Sequence, residues 1–261
     1  MSMNLQKELQ VAVEAAKEAA KVIRDSSRLA LSLQTKSDGS FVTKADVNTQ
    51  KLIVDILKTS FPTDSFLCEE SENHVLTPTR TWIIDPLDGT ANYVKAIPFV
   101  AVNISLWIDF APMVSVTYDV FHDEYLCKIG NQPVETHIKN YPARNQDLII
   151  IDNIQSTHNR ASIKEKACLA YDSMFAIRSL GSAALGMMYV VLGRASAYFA
   201  PNVHIWDIAS GLHFLSGDNS LEVCDLFGAF ITFENIVAQQ SSKGLAVVRR
   251  TLRDCFWKSD E

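Results

Sequence analysis

The 261-residue sequence lacks the features that mark membrane-spanning and nucleic-acid-binding proteins. No uncharged apolar run is long enough to cross a bilayer, so we expect no transmembrane helix. Charged residues interrupt the apolar residues near the N-terminus, which argues against a signal peptide. Basic residues are not in excess either: the net charge is −6 and the pI is near 5.5, whereas nucleic-acid-binding proteins normally carry a basic face. We therefore expect a soluble protein without nucleic-acid or membrane partners.

Paired cysteines and the common cofactor motifs are also missing. The five cysteines are widely spread and none forms a C-x-x-C pair, which argues against a zinc ribbon and a disulfide framework. A reduced, cytoplasmic protein fits this pattern best. There is no G-x-G-x-x-G, Walker or H-E-x-x-H sequence, and Ser182 lies in no G-x-S-x-G elbow. Dinucleotide, P-loop, zinc-protease and serine-hydrolase chemistry are therefore not indicated. The hydrophobic content of 48% is enough to bury a sizeable core.

One stretch of the chain, residues 81–90 with the sequence T-W-I-I-D-P-L-D-G-T, suggests a chemical function. We expect an apolar strand that ends at Asp85, because Pro86 cannot donate a ladder hydrogen bond, and then a turn into a helix. At such a corner the carboxylates of Asp85 and Asp88 can converge on one point, with the Leu87 carbonyl between them. Donors that are all oxygen suit a hard cation such as Mg²⁺ better than zinc. Helix N–H groups beside the cation would favour an anion, which together suggests a phosphate ester.

The same residues also fit an ordinary turn, since Asp, Pro and Gly are common turn formers. Taken alone, the D-P-x-D-G sequence leaves both interpretations open. Further acidic residues favour the site: Glu69 follows the predicted strand Ser65–Cys68, and Asp207 lies in an apolar segment. Asp207 can be a helix cap, a metal ligand or both. Asp46, which lies at the start of a predicted helix, can likewise be a simple helix cap.

The hydrophobic periodicity predicts a mixed α/β chain in two halves, residues 1–142 and 143–261, that join near residues 141–145. In the first half we expect helices over about 5–23 and 44–61, the second with Val47 in its core face, and then an antiparallel meander over 99–108, 113–118 and 124–129. The second half alternates short strands and helices, from a strand at 148–151 onwards.

Three segments together resemble a known family. Glu69-Glu70-Ser71, the D-P-L-D-G-T of residues 85–90 and Trp206-Asp207-Ile208-Ala209 are similar to motifs of the inositol monophosphatase family of lithium-sensitive, Mg²⁺-dependent phosphatases. The resemblance covers roughly residues 36–211. It implies an α/β fold with an α+β N-terminal half and an α/β C-terminal half, arranged as a five-layer α-β-α-β-α sandwich with the site at the junction. It also implies a homodimer.

The resemblance implies a role for each residue that matches a family motif. Two or three Mg²⁺ per site would be held by Glu69, Asp85, the Leu87 carbonyl, Asp88 and Asp207. The attacking water would be oriented by Glu69, Thr90 and Asp46. The phosphate would be bound by Gly89 and Thr90. The rest of the substrate would be contacted by Lys36, Asp88, Gly181, Ser182 and Ala183.

The implied activity is hydrolysis of a small phosphomonoester by a metal-activated water, without a covalent enzyme intermediate. Inositol-1-phosphate or a similar polyol or sugar phosphate is the leading substrate, and fructose-1,6-bisphosphate and 3′-phosphoadenosine 5′-phosphate are alternatives. Inositol-specific members carry a glutamate seven residues before the W-D aspartate, where this chain has Ala200. The hairpin at residues 128–132 is also shorter than the family's. A non-catalytic regulatory homologue that binds a protein partner is the alternative from another class.

Overall fold

The computed structural model describes residues 5–27, 33–35, 41–71, 75–139, 147–152, 159–231 and 244–257. The helices in these ranges are α1 (Gln6–Ser26), α2 (Lys44–Ser60), α3 (Thr90–Val94), α4 (Arg160–Asp172), α5 (Ala183–Val191), α6 (Ile205–Leu215) and α7 (Arg253–Phe256), with a 3-10 turn at Arg250–Leu252. The strands are β1 (Leu33–Thr35), β2 (Phe41–Thr43), β3 (Ser65–Cys68), β4 (Thr81–Asp88), β5 (Ala101–Ile108), β6 (Ala111–Asp119), β7 (Glu124–Ile129), β8 (Glu135–His137), β9 (Leu148–Ile151), β10 (Ala176–Arg178), β11 (Ala197–Ala200), β12 (Leu221–Cys224) and β13 (Leu245–Arg249).

The strands form two mixed sheets and one small hairpin. The larger sheet has six strands in the order β3-β4-β5-β6-β7-β8, of which β3 and β4 are parallel and the others antiparallel. The smaller sheet has five strands in the order β10-β9-β11-β13-β12, with β9, β10 and β11 parallel and β13 antiparallel to both of its neighbours. β1 and β2 form a separate antiparallel pair. The predicted meander is therefore confirmed.

The helices separate the two sheets and cover their outer faces. α1 and α2 pack on one face of the six-stranded sheet, where Ile23 and Ile53 meet Ile104. α6 packs on the other face, where Trp206 lies against Ile83, and α5 and α6 together also cover the five-stranded sheet. α4 and α7 cover the far side of that second sheet. The order of layers is α-β-α-β-α, so the predicted five-layer sandwich is confirmed.

Strand β5 is buried on both faces because helices cover both sides of the sheet in which it lies. Its apolar set, including Val102 and Ile104, faces α1 and α2, as the period-two pattern predicts. The alternate positions are buried too, because α6 covers the other face. Asn103 and Ser105 are each 1% exposed, and Asn103 Nδ2 donates a hydrogen bond to the Trp206 carbonyl at 2.6 Å. A polar side chain is tolerated in this layer because it is hydrogen-bonded.

One predicted core contact in α2 is wrong. Val47 is 53% exposed, whereas the buried residues of the helix include Thr49, Ile53 and Leu57. These buried residues recur every four positions, and at 3.6 residues per turn Val47 lies on the opposite side of the helix. The predicted boundary at 141–145 lies outside the described residues, so the two halves stay a prediction. Among the helices described, none is both long and apolar enough to cross a membrane.

Candidate active site

A β-bulge in β4 shapes the corner that carries the two aspartates. The strand does not end at Asp85 as predicted but continues through Pro86 to Asp88. Asp85 pairs with Asn103 and Asp88 with Ala101, so two residues of β4 lie opposite a single residue of β5. Proline is tolerated at a bulge, where the ladder is interrupted. Residues three apart on a regular strand point to opposite faces, and the extra residue allows Asp85 and Asp88 to face the same point.

Asp207 reaches the same point from the first turn of α6. Its Oδ2 accepts a hydrogen bond from the backbone N–H of His204, the residue before the helix, at 2.7 Å. Its side chain therefore caps the helix from the third helical position. One oxygen each of Asp85, Asp88 and Asp207 lies within 4.8 Å of the others. The capping and cluster interpretations of Asp207 are thus compatible, since one carboxylate oxygen accepts the cap hydrogen bond.

Asp88 is held by the start of α5. Its Oδ2 accepts hydrogen bonds from Ser182 Oγ at 2.5 Å and from the Ala184 N–H at 2.8 Å, and its Oδ1 lies 3.3 Å from the Ala183 N–H. Ser182 is the N-cap of α5 and is 1% exposed. Ser182 and Ala183, which the resemblance implies as substrate contacts, thus contact a carboxylate of the cluster, and Gly181 precedes them with a left-handed φ of +73°.

Asp152 supports this loop and was missed from the sequence. It follows β9 directly, is 4% exposed, and its Oδ1 accepts hydrogen bonds from the Leu180 N–H at 2.6 Å and the Gly181 N–H at 2.8 Å. The loop that leads into Ser182 is therefore ordered by a buried carboxylate. A signal existed: an acidic residue directly after the apolar strand Leu148–Ile151 is the same pattern that drew attention to Asp85.

Thr90 and Asp46 form a second polar pair beside the carboxylates. Thr90 Oγ1 lies 3.0 Å from Asp46 Oδ1 and 3.2 Å from the Leu87 carbonyl, so its single proton is shared between two acceptors. Asp46 Oδ2 accepts from the N–H of Thr43 at 2.8 Å and from its hydroxyl at 2.5 Å. Asp46 is completely buried, and it caps α2 as well as contacting Thr90. Gly89, with a left-handed φ of +96°, turns the chain into the five-residue helix α3.

Burial and mutual repulsion dominate the electrostatics of the cluster. Burial raises the pKa of Asp85 well above its usual range, and the charges of Glu69, Asp88 and Asp207 raise it further. Burial raises the pKa of Asp88 to about 7, although the hydrogen bonds from Ser182 and Ala184 act in the opposite direction. Burial also raises the pKa of Asp46. Close carboxylates resist being ionised together, and a bound cation would relieve their mutual repulsion.

The structure brings most of the implied site residues together. The Glu69 N–H donates to the Ile84 carbonyl at 3.2 Å, so Glu69 lies beside the end of β4, and its charge acts on both Asp85 and Asp88. The Leu87 carbonyl accepts from Thr90 within the same corner. Lys36 lies outside the described residues, and its predicted role stays a prediction.

Comparisons with known proteins show which proteins the chain is similar to. The family model for the inositol monophosphatase family matches residues 4–220. Inositol monophosphatase 1 of Bos taurus is 29% identical over 251 residues, which are 90% of each chain. The Nus factor SuhB of Salmonella typhimurium is 31% identical over 214 residues, 78% of this chain and 79% of that protein. A solved structure of an IMPase/NADP phosphatase complexed with Mg²⁺ and phosphate is 25% identical, covers 97% of this chain and 96% of that chain, and has a TM-score of 0.79.

Proposed function

The chain belongs to the inositol monophosphatase family and is a phosphomonoesterase, and from this premise we propose that it hydrolyses a small polyol or sugar phosphate in a Mg²⁺-dependent reaction. The observation that carries the proposal is the convergence of Asp85, Asp88 and Asp207 within 4.8 Å in a largely buried corner. Inositol-1-phosphate is the leading substrate.

The donor set fits a hard divalent cation. The residues that would hold it are Asp85, Asp88, Asp207 and Glu69, with the Leu87 carbonyl, and every donor is an oxygen. Burial raises the pKa of Asp85 and Asp88, and neighbouring carboxylates raise it further, so the cluster by itself disfavours the fully ionised state that a cation would stabilise. When bound, Mg²⁺ lowers the pKa of a coordinated water and offsets the negative charge of the phosphate. The similar structure with Mg²⁺ and phosphate supports this assignment.

Thr90 and Asp46 are suited to orient the attacking water. When the Thr90 hydroxyl donates to Asp46 Oδ1, its lone pairs are left to accept a hydrogen bond from a water molecule. Asp46 in turn is fixed by two hydrogen bonds from Thr43, so the pair is positioned before substrate binds. Glu69, which lies next to the carboxylate cluster, would take part in orienting the same water. Gly89 and Thr90 would bind phosphate oxygens through their backbone N–H groups.

The chain offers fewer specific contacts to the alcohol part of the substrate than to its phosphate. Ala200, at the place of the glutamate of inositol-specific members, is 1% exposed and packs among apolar residues of the second sheet. It offers no hydrogen-bonding side chain to sugar hydroxyls. We therefore propose recognition mainly through the phosphate and the cation, with Gly181, Ala183 and Lys36 close to the alcohol. Fructose-1,6-bisphosphate and 3′-phosphoadenosine 5′-phosphate remain alternative substrates of the same chemistry.

The first test is phosphate release from inositol-1-phosphate, fructose-1,6-bisphosphate, 3′-phosphoadenosine 5′-phosphate and glycerol-2-phosphate, with Mg²⁺ and with EDTA. We expect Mg²⁺-dependent turnover that EDTA abolishes, and a preference for inositol-1-phosphate. Equal rates in EDTA would contradict the cation assignment. Preference for another compound would reassign the substrate without changing the chemistry.

The second test is the variant Asp85→Asn, with Asp172→Asn on the exposed end of α4 as the control. Asp85→Asn should abolish turnover while the metal-free protein melts no lower than wild type, because asparagine carries no charge and both burial and the neighbouring carboxylates disfavour a charge at this position. Wild type and Asp172→Asn should be stabilised thermally by Mg²⁺ plus phosphate, whereas Asp85→Asn should not. Near-normal turnover of Asp85→Asn would refute the assignment.

A second candidate function is regulation through a protein partner, which the similarity to the Nus factor SuhB favours. Thermal stabilisation by Mg²⁺ plus phosphate separates the two candidates, since a scaffold would be indifferent to both ligands. The clustered carboxylates argue for the enzyme, because a scaffold has no use for their mutual repulsion.

Four further properties belong to the same proposal. We propose a homodimer, to be tested by light scattering coupled to size-exclusion chromatography. A cytoplasmic location is supported by the five cysteines, all of which are free. Lithium sensitivity is tested by adding LiCl to the phosphate-release assay. The division at residues 142 and 143 is tested by limited proteolysis, which should cut first between the halves.

A further inference from the structure

A second group of potential ligands lies far from the carboxylate corner, on strands β7 and β8. Cys127 pairs with Glu135 and Tyr125 pairs with His137 across the two antiparallel strands. Residues two apart on a strand point to the same face, so all four side chains share one face of the sheet. Cys127 belongs to the core that this face forms with α1. The proposed hydrolysis uses none of these residues.

The three ligand-type side chains are close to metal-binding geometry. Cys127 Sγ lies 3.9 Å from Glu135 Oε2, and His137 Nε2 lies 4.0 Å from the same oxygen. One donor atom from each of the three residues lies within 4.8 Å of the others. Around a tetrahedral Zn²⁺ with ordinary bond lengths, donor atoms are about 3.3 to 3.7 Å apart. No pair of donor atoms therefore needs to approach by more than about 1.5 Å.

The two side chains that must move to bind a metal ion are the exposed ones. The side chains of Glu135 and His137 are 57% and 49% exposed, whereas Cys127 is 2% exposed and stays fixed in the sheet. The His137 ring is stacked on the Tyr125 ring, with the two ring centroids 4.2 Å apart. The stacking orients the His137 ring through its face and does not block Nε2, which lies on the ring edge. Rotation of the two exposed side chains toward the buried sulfur closes the group.

The group opens into a groove that provides access for an ion. The groove lies between α1 and strands β6 to β8, and Cys127, Glu135 and His137 all line it. Its charged lining is mixed, with cationic Lys17, Lys21 and Arg24 and acidic Glu14, Glu18 and Asp123. The cations have their own partners: Lys17 lies over the Tyr125 ring, Lys21 pairs with Glu18, and Arg24 pairs with Asp123.

We propose that Cys127, Glu135 and His137 bind one divalent cation of the zinc type, with a water in the fourth, groove-facing position. A thiolate and an imidazole select Zn²⁺, Co²⁺ and similar ions, in contrast to the all-oxygen cluster at Asp85. Binding releases the thiol proton of Cys127, and the ion takes its place on sulfur. The ion would link β8, a three-residue edge strand with every residue exposed, to its neighbour β7.

The test is a Co²⁺ titration of the full-length protein in excess Mg²⁺, followed by absorption spectroscopy. Thiolate coordination to Co²⁺ gives a sulfur-to-metal charge-transfer band, which an all-oxygen site cannot give. We expect the band to saturate at one equivalent and to disappear when Zn²⁺ is added. Cys127→Ser should lose the band, whereas Cys168→Ser, which removes an exposed cysteine on α4, should keep it. Asp85→Asn should keep it as well.

Two further variants make the result independent of how well Cys127→Ser folds. His137→Ala and Glu135→Gln alter exposed side chains, so they leave the fold intact and should weaken Co²⁺ binding. The proposal is overturned if wild type gives no thiolate band, if the band survives Cys127→Ser, or if it is lost in Cys68→Ser or Asp85→Asn instead. It is equally overturned if His137→Ala binds Co²⁺ as wild type does.

Discussion

A buried histidine in α6 makes the stability of this protein depend on pH in a window that can be worked out from its contacts. His213 is 1% exposed, with Nε2 2.8 Å from the Gly130 carbonyl and Nδ1 2.9 Å from Ser115 Oγ. A carbonyl only accepts, so Nε2 carries the proton and Nδ1 accepts from the serine hydroxyl. The neutral ring thus satisfies both partners. Burial lowers the pKa of His213 to about 4, and the positive charge of Lys128 acts in the same direction.

The sign and size of the effect follow from the two pKa values. In the unfolded chain the pKa of a histidine is about 6.5. Below that pH the unfolded chain binds a proton that the folded protein does not bind, so the free energy of unfolding falls as the pH falls. The stability that the neutral His213 ring contributes is fully present above the pKa of the unfolded chain. It is lost as the pH falls toward the pKa of the folded protein, which is about 4. The loss amounts to about 2 kcal/mol at pH 5 and about 3 kcal/mol at pH 4.

Urea unfolding of wild type and His213→Gln between pH 7.5 and pH 4, in metal-free buffer, isolates this contribution. Glutamine does not titrate, so subtracting the two profiles removes the carboxylates and every other group that both proteins share. The difference in unfolding free energy should fall by about 3 kcal/mol across the window. His137→Gln replaces a half-exposed histidine and should run parallel to wild type. A flat difference for His213→Gln would refute the inference that this ring is buried and neutral.

Two further predictions concern the backbone and the loop that shape the site. Gly89→Ala should lose activity and more than about 2 kcal/mol of stability, because its φ is +96° and the new Cβ would lie 2.9 Å from the Phe99 carbonyl. Gly217→Ala, with φ +87° and nothing within 4 Å, should lose only about 1–2 kcal/mol, and equal costs in urea unfolding would refute the steric argument. Ser182→Ala should cost about 1 kcal/mol as a lost cap and raise the Mg²⁺ concentration for half-maximal phosphate release, since Asp88 loses its closest donor. Ser182→Thr keeps the hydroxyl and should restore both the stability and the Mg²⁺ concentration for half-maximal phosphate release. An unchanged Mg²⁺ dependence in Ser182→Ala would contradict the role of Ser182 in holding Asp88.

The helices and strands of the fold were predictable because they follow from local periodicity, whereas the order of the layers was implied by the family resemblance. The alternation in residues 99–108 and the four-residue spacing of apolar positions in α1 each define a face that must be buried. The predicted strands and helices match the structure closely on this basis. The failure at Val47 has the same origin. Near the start of a helix a single apolar residue can lie on either side, and its neighbours Thr49 and Ile53 decide the face.

The candidate site was predictable only in its residue types. The motif around Asp85 identified the cluster, but the proline suggested the end of a strand, and only pairing with β5 reveals a bulge. The contact between Ser182 and Asp88 joins residues 94 positions apart and leaves no local pattern. Asp152 acts through the backbone of a loop 28 positions further along the chain. Such contacts are set by how the two sheets and α5 pack, which no short window of sequence contains.

The carboxylate cluster is held together by the scaffold and not by its own interactions. Asp85, Asp88 and Asp207 repel one another, yet Asp85 is fixed by its ladder pairing with Asn103. The Asn103 side chain donates to the Trp206 carbonyl and accepts from Thr117, so the same residue also fixes the start of α6 and hence Asp207. One buried amide therefore sets the distance between carboxylates that come from two layers. Since these contacts involve no carboxylate oxygen, the cluster stays assembled when its charges are unfavourable, and a cation would find its ligands already in place.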